Sequence, residues 1–113
     1  MSVIIYHNPR CSKSRQTLQL LQQRGIAPQV IEYLVQPPST VELQRLLAML
    51  QMTAQQLVRR NDARQLGIDI DALSDAALIE VLHTTPQLIE RPIVVSNGKA
   101  AIGRPPEAIL DIL

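Results

Sequence analysis

The chain has 113 residues, 46% hydrophobic and 19% charged, a globular balance that predicts one folded domain over 1–113 and argues against disorder. Its 11 basic and 10 acidic residues leave a net charge of +1, too weak a field to make nucleic acid or an anionic membrane an expected partner. The lone cysteine leaves no internal disulfide and no multi-cysteine metal site; with no apolar segment of spanning or signal-core length, it predicts a soluble, cytoplasmic protein, expected as a monomer.

Val3-Ile4-Ile5-Tyr6 is a β-branched and aromatic run that stops at His7-Asn8-Pro9, where proline forbids continued pairing. Past Cys11, residues Ser14, Leu18 and Leu21 fall at helical spacing, and Gly25 stands where a helix C-terminus uses a glycine. Gln29 to Tyr33 predicts a second strand, so the first third reads as a β-α-β unit with a parallel, right-handed connection.

Pro37-Pro38 breaks the chain, and Ser39 with Glu42 has capping-box spacing ahead of Leu43, Leu46, Leu47 and Leu50. Thr53 with Gln56 repeats that spacing, and Ser74 opens a stretch carrying Ala77, Leu78, Val81 and Leu82. Gly67-Ile68-Asp69-Ile70-Asp71 alternates like a strand, but its aspartates and its place between helices predict a loop. Pro86 ends the helical block. Pro92 then leads Ile93-Val94-Val95 into Asn97-Gly98, the strongest short hairpin signal, and on to Ala100–Gly103. Pro105-Pro106 suits a first helical turn, with Ala108, Ile109, Ile112 and Leu113 as its buried face. The order is β-α-β, a helical insertion at about 39–85, then β-β-α, which predicts an α/β, thioredoxin-like fold.

Cys11 sits at the first turn of the first helix, with Arg10, Lys13 and Arg15 around it. Unpaired backbone N–H groups, the helix dipole and neighbouring cations all favour the thiolate, the form in which sulfur is a nucleophile. The same geometry suits an anion. A buried, inert cysteine is the common alternative, but these neighbours are polar. A phosphatase-type loop needs Cys-x5-Arg, and Thr17 occupies that place; a dithiol oxidoreductase needs Cys-x-x-Cys, and Ser14 occupies that one. Any disulfide on Cys11 therefore needs an external thiol to resolve it. Nine of the 11 basic residues are Arg, a bias that suits forked oxyanion binding and also matches an Arg-rich codon usage.

Tyr6-His7-Asn8-Pro9-Arg10-Cys11, Ser14-Arg15, Thr17-Leu18, Tyr33-Leu34, Pro37-Pro38, Leu57-Val58-Arg59-Arg60-Asn61, Arg91-Pro92-Ile93-Val94-Val95, Arg104-Pro105 and Ile109 to Leu113 together resemble the glutaredoxin-coupled arsenate reductase family, ArsC-like and thioredoxin-like in fold. The resemblance implies Cys11 as nucleophile and Arg59, Arg91 and Arg104 as the oxyanion clamp, chemistry that the planar fork of arginine suits. It also implies a cis Arg91-Pro92 peptide. The implied reaction reduces arsenate to arsenite with glutathione as co-substrate and glutaredoxin as protein partner, with no metal and no bound cofactor. His7, at the strand end, joins Ser14 and Arg15 as candidates for tuning the thiolate, although a polar strand terminus also has purely structural uses. His83 is assigned no role. Ser12-Lys13 departs from the Gly-Thr common after the cysteine in well-known members and adds a charge beside the pocket. Two other readings stay open: a glutathione-linked oxidoreductase or deglutathionylase with another substrate, and an Spx-type regulator binding RNA polymerase, whose redox-sensing members usually carry the Cys-x-x-Cys this chain lacks.

Overall fold

Four strands, β1 (Val3–His7), β2 (Gln29–Glu32), β3 (Ile93–Ser96) and β4 (Lys99–Ile102), form one sheet in the order β2-β1-β3-β4. β1 runs parallel to β2 and antiparallel to β3, and β3 pairs antiparallel with β4. Helix α1 (Ser12–Gln23) links β1 to β2, so the expected β-α-β unit and closing hairpin are both present in a thioredoxin-like arrangement. The computed structural model describes residues 2–113. They divide into two compact units, the chain up to Gln36 with Arg91–Leu113, and Pro37–Glu90.

In the first unit, Val3 and Ile5 of β1, Leu21 of α1, Val94 of β3 and Ile109 form one buried cluster. The period-two alternation of β1 and the helical spacing of α1 put those side chains on facing surfaces. Asn97 and Gly98 both take positive φ, 58° and 73°, the conformation a two-residue hairpin of this twist demands. β2 ends at Glu32, one residue short of expectation, because the Glu32 carbonyl turns away to accept from the N–H groups of Val35 and Gln36. The C-terminal segment is a 3-10 helix, Pro106–Ile112, where the apolar spacing predicts a helix without specifying its type. Its Ala108 N–H reaches only as far back as the Pro105 carbonyl, at 2.9 Å, the i to i+3 pattern of the tighter helix. The Arg91-Pro92 peptide is cis as expected, and Arg104-Pro105 is cis as well.

The second unit holds α2 (Thr40–Leu50), α3 (Ala54–Leu57), α4 (Arg60–Gln65) and α5 (Asp75–Thr84). Ser39 and Ser74 Oγ accept from the N–H groups of Glu42 and Ala77, and Thr53 with Gln56 forms a complete capping box. Each cap satisfies a donor that the helix start would otherwise leave open. α5 packs on α2 and α3, and Leu43, Leu46, Leu57, Leu78, Leu82 and Leu88 are fully buried. The Gly67–Asp71 stretch is a loop entering a 3-10 turn, Ile70–Ala72, that buries Ile70. Pro86 opens another such turn, Pro86–Leu88, after α5 has ended. Among the described residues no helix is long and apolar enough to cross a membrane.

Candidate active site

β1 delivers the chain to Asn8 and Pro9, and the turn there is closed by the Cys11 N–H donating to the Asn8 carbonyl at 3.0 Å. Cys11 is thereby the N-cap of α1, in extended conformation, and its half-buried side chain lies at the open end of the helix. The sulfur accepts from the backbone N–H groups of Ser14 and Lys13 and from the Arg91 side chain. Burial pushes the thiol up; the Ser14 N–H, the Arg91 and Lys13 donors and the Arg91 charge outweigh it and hold the pKa below the ordinary value. Cys11 is a free cysteine, so this is a solvent-reachable thiol of lowered pKa with no second cysteine to form an internal disulfide.

Two arginines converge on it from the segment flanking the β3–β4 hairpin. Arg104 Nη2 stands 3.6 Å from Cys11 Sγ, and its Nε donates to the Arg91 carbonyl at 2.8 Å. Arg91 is half-buried and Arg104 exposed. The two thus differ in dielectric setting although both reach the sulfur. Arg59 belongs to the second unit, where it caps α4, donates its N–H to the Leu88 carbonyl at 2.8 Å and pairs through Nε with Asp62 at 3.0 Å. Its Nη1 is buried with no hydrogen-bond partner among the described residues.

His7 and Ser14, both buried, brace the turn from behind. His7 Nδ1 lies 2.6 Å from Ser14 Oγ, which also accepts from the Asn8 N–H at 3.0 Å. Desolvation drives the His7 pKa down; Glu32 opposes that and the Arg15 charge adds to it, so the fold favours the neutral imidazole. Arg15 Nη1 donates to the Pro9 carbonyl at 3.0 Å, tying the first turn of α1 to the loop before it. Every candidate read from the first unit, Cys11, His7, Ser14, Arg15, Arg91 and Arg104, is therefore joined to another by a hydrogen bond or a charge effect.

Two further groups position them, and of these only Gly103 went unmarked in the sequence. The Lys13 contact with sulfur is made by its backbone, so the Ser12-Lys13 departure leaves that donor in place. Gly103, just before Arg104, donates its N–H to the Pro92 carbonyl at 2.9 Å. A Cβ there would strike Thr17 Oγ1 and lie 2.9 Å from Pro92 Cγ. Glycine is needed because α1 and the Pro92 ring close on the backbone from both sides; a glycine at a strand end carries no sequence mark of such an approach. Among the described residues, no group of three or more His, Cys, Asp or Glu could hold a metal ion.

Residues 6–112 match the ArsC family. The chain is 49% identical over 114 residues to "Uncharacterized protein YfgD" of Escherichia coli K12, covering 98% of this chain and 96% of that one. It is 47% identical over 116 residues to "Arsenate reductase" of Haemophilus influenzae, covering all of both. The solved structure "Arsenate reductase from Vibrio cholerae" superposes with a TM-score of 0.90 at 52% identity, over 100% of this chain and 98% of the other. With the match extending across nearly the whole chain and the thiolate turn sitting inside it, this protein belongs to the ArsC family.

Proposed function

We propose that this chain is an arsenate reductase that works with glutathione and glutaredoxin in the cytoplasm. The observation that carries the reading is Cys11 itself: a thiol lowered by helix-start N–H groups and by Arg91, with Arg104 3.6 Å away. A nucleophile and oxyanion donors at one point suit attack on a tetrahedral oxyanion.

The Cys11 thiolate attacks As(V), and an arsenate oxygen leaves as water after taking up protons. Arg91 and Arg104 donate to the remaining oxygens and withdraw charge as the S–As bond forms. Arg59 enters as the third oxyanion donor on the family resemblance. Glutathione thiolate then attacks the Cys11 sulfur, the S–As electron pair passes to arsenic, and arsenite leaves as As(III). Two thiols have supplied the two electrons and now form a Cys11–glutathione disulfide. A glutaredoxin thiolate attacks the glutathione sulfur and frees Cys11, the external resolution that a chain without a second cysteine requires.

The test is NADPH consumption by the pure protein with arsenate, glutathione, glutaredoxin and glutathione reductase, with Cys11→Ser as the blank. Arsenate-dependent, saturable turnover absent from the blank supports the reading. Turnover of a glutathionylated peptide with none on arsenate replaces it with the deglutathionylase reading.

A further inference from the structure

A groove that the chemistry above does not use runs along the helix that Cys11 caps. It is about 410 Å³ in volume and runs along α1 beside the C-terminal segment, lined by Lys13, Gln16, Gln19 and Gln23, by Pro105, and by Glu107 among others. Lys13, Gln16, Gln19 or Leu20, and Gln23 fall at successive turns of α1 and so form one stripe. Each wall of the groove is continuous along the chain with a group that touches the sulfur. Lys13 donates its backbone N–H to Cys11, and Pro105 follows Arg104, whose Nη2 stands 3.6 Å from Cys11 Sγ.

The polar groups of this groove are not spent inside the protein. Among the described residues, the side chains of Lys13, Gln16, Gln19, Gln23 and Glu107 make no hydrogen bond or ion pair. Lys13 and Glu107 carry opposite charges and line one groove without bridging each other. Such a pair is complementary to a zwitterion, with an ammonium for the carboxylate and a carboxylate for the ammonium. The glutamine row between them offers donors and acceptors for amides, and Leu20 and the two prolines give an apolar floor. The volume falls within the range of small-molecule sites.

We infer that this groove seats the γ-glutamyl arm of glutathione, with Lys13 receiving its α-carboxylate, Glu107 its ammonium and the α1 glutamines its peptide group, so that the thiol is held at the Cys11 end. The inference rests on the reading of glutathione as the co-substrate. It also gives the Ser12-Lys13 departure a use, since a lysine at that position supplies the cation.

The test uses a glutathione that cannot react. S-methylglutathione is titrated into the full-length protein while backbone amide shifts are followed by NMR, with S-methyl-cysteinylglycine, which lacks the γ-glutamyl arm, in parallel. The expected result is saturable shifts at Lys13, Gln16, Gln19 and Glu107, absent with the truncated compound and about tenfold weaker in Glu107→Lys, the scale of one lost charge-assisted contact. In turnover, Glu107→Lys raises the glutathione KM while leaving the arsenate KM in place. Shifts confined to another face, equal binding of the truncated compound, or an unchanged affinity in Glu107→Lys overturns the inference. Failure of the reductase reading shows itself separately, as absent arsenate turnover in a protein whose groove still binds S-methylglutathione.

Discussion

Arg104 reaches Cys11 and Arg91 at once: Nη2 stands 3.6 Å from the sulfur while Nε donates to the Arg91 carbonyl at 2.8 Å. The backbone of one arginine thus holds the side chain of the other over the nucleophile. Of the two guanidiniums, the half-buried Arg91 depresses the thiol through a hydrogen bond and its charge, whereas Arg104 is exposed and its charge is more strongly screened by water. Arg91→Ala is therefore expected to raise the Cys11 pKa further than Arg104→Ala does, read from the pH profile of alkylation rate. Both variants are expected to raise the arsenate KM by about tenfold, the loss of one charge-assisted contact. An unchanged KM in both removes them from the clamp.

Ser14→Ala separates support from chemistry. Ser14 is fully buried, and its hydroxyl partners both His7 Nδ1 and the Asn8 N–H, so the variant strands two buried polar groups. The expected cost is about 1–3 kcal/mol, measured by urea denaturation. Cys11 is contacted by the Ser14 backbone rather than the hydroxyl. Alkylation of the folded variant should accordingly retain a depressed thiol pKa, and a return to the ordinary value would show that the hydroxyl network sets the turn.

Gly103→Ala forces a Cβ between Thr17 Oγ1 and Pro92 Cγ. Overpacking of this kind costs about 1–3 kcal/mol. Thr17→Ala removes the Thr17 atoms that the new methyl meets, leaving Pro92 Cγ, but also removes the Thr17 Oγ1 bond to the Lys13 carbonyl at 2.7 Å. The double variant is expected to be more stable than the sum of the two losses, a coupling that a double-mutant cycle measures. Strict additivity would mean the clash is relieved elsewhere.

His7 gives stability a pH dependence of known sign. Its pKa is depressed from the ordinary 6.5, by desolvation first and by Arg15, against the pull of Glu32. The unfolded chain therefore binds more protons than the folded one in the window that opens at 6.5 and runs down to the folded pKa. The contribution of His7 is complete above that window and is lost as pH falls through it. By imidazole NMR titration, Arg15→Gln is expected to raise the His7 pKa and Glu32→Gln to lower it further.

Much of this architecture is legible in the chain because it is written locally. Ser39, Thr53 and Ser74 announce their helices by the spacing of a cap, Asn97-Gly98 announces its hairpin by the φ angles it permits, and Cys11 is marked by the strand, proline and helix around it. What the chain does not display depends on distant approach. Gly103 looks like any strand-end glycine until Thr17 and Pro92 close on it, and Tyr33 leaves β2 because the Glu32 carbonyl is taken by a turn. The 3-10 form of Pro106–Ile112 follows from hydrogen-bond register, to which apolar spacing is blind. The His7–Ser14 contact joins the end of a strand to the first turn of the next helix, seven residues along the chain, and no periodicity reports it.

The central claim is that Cys11 sulfur takes arsenate and passes through a disulfide with glutathione. Intact-protein mass spectrometry after incubation with arsenate and glutathione, without glutaredoxin, reads that step directly. The account predicts one glutathione added per chain, on Cys11, formed only when arsenate is present and removed by glutaredoxin. An unmodified protein, or the same adduct formed at the same rate without arsenate, would contradict it.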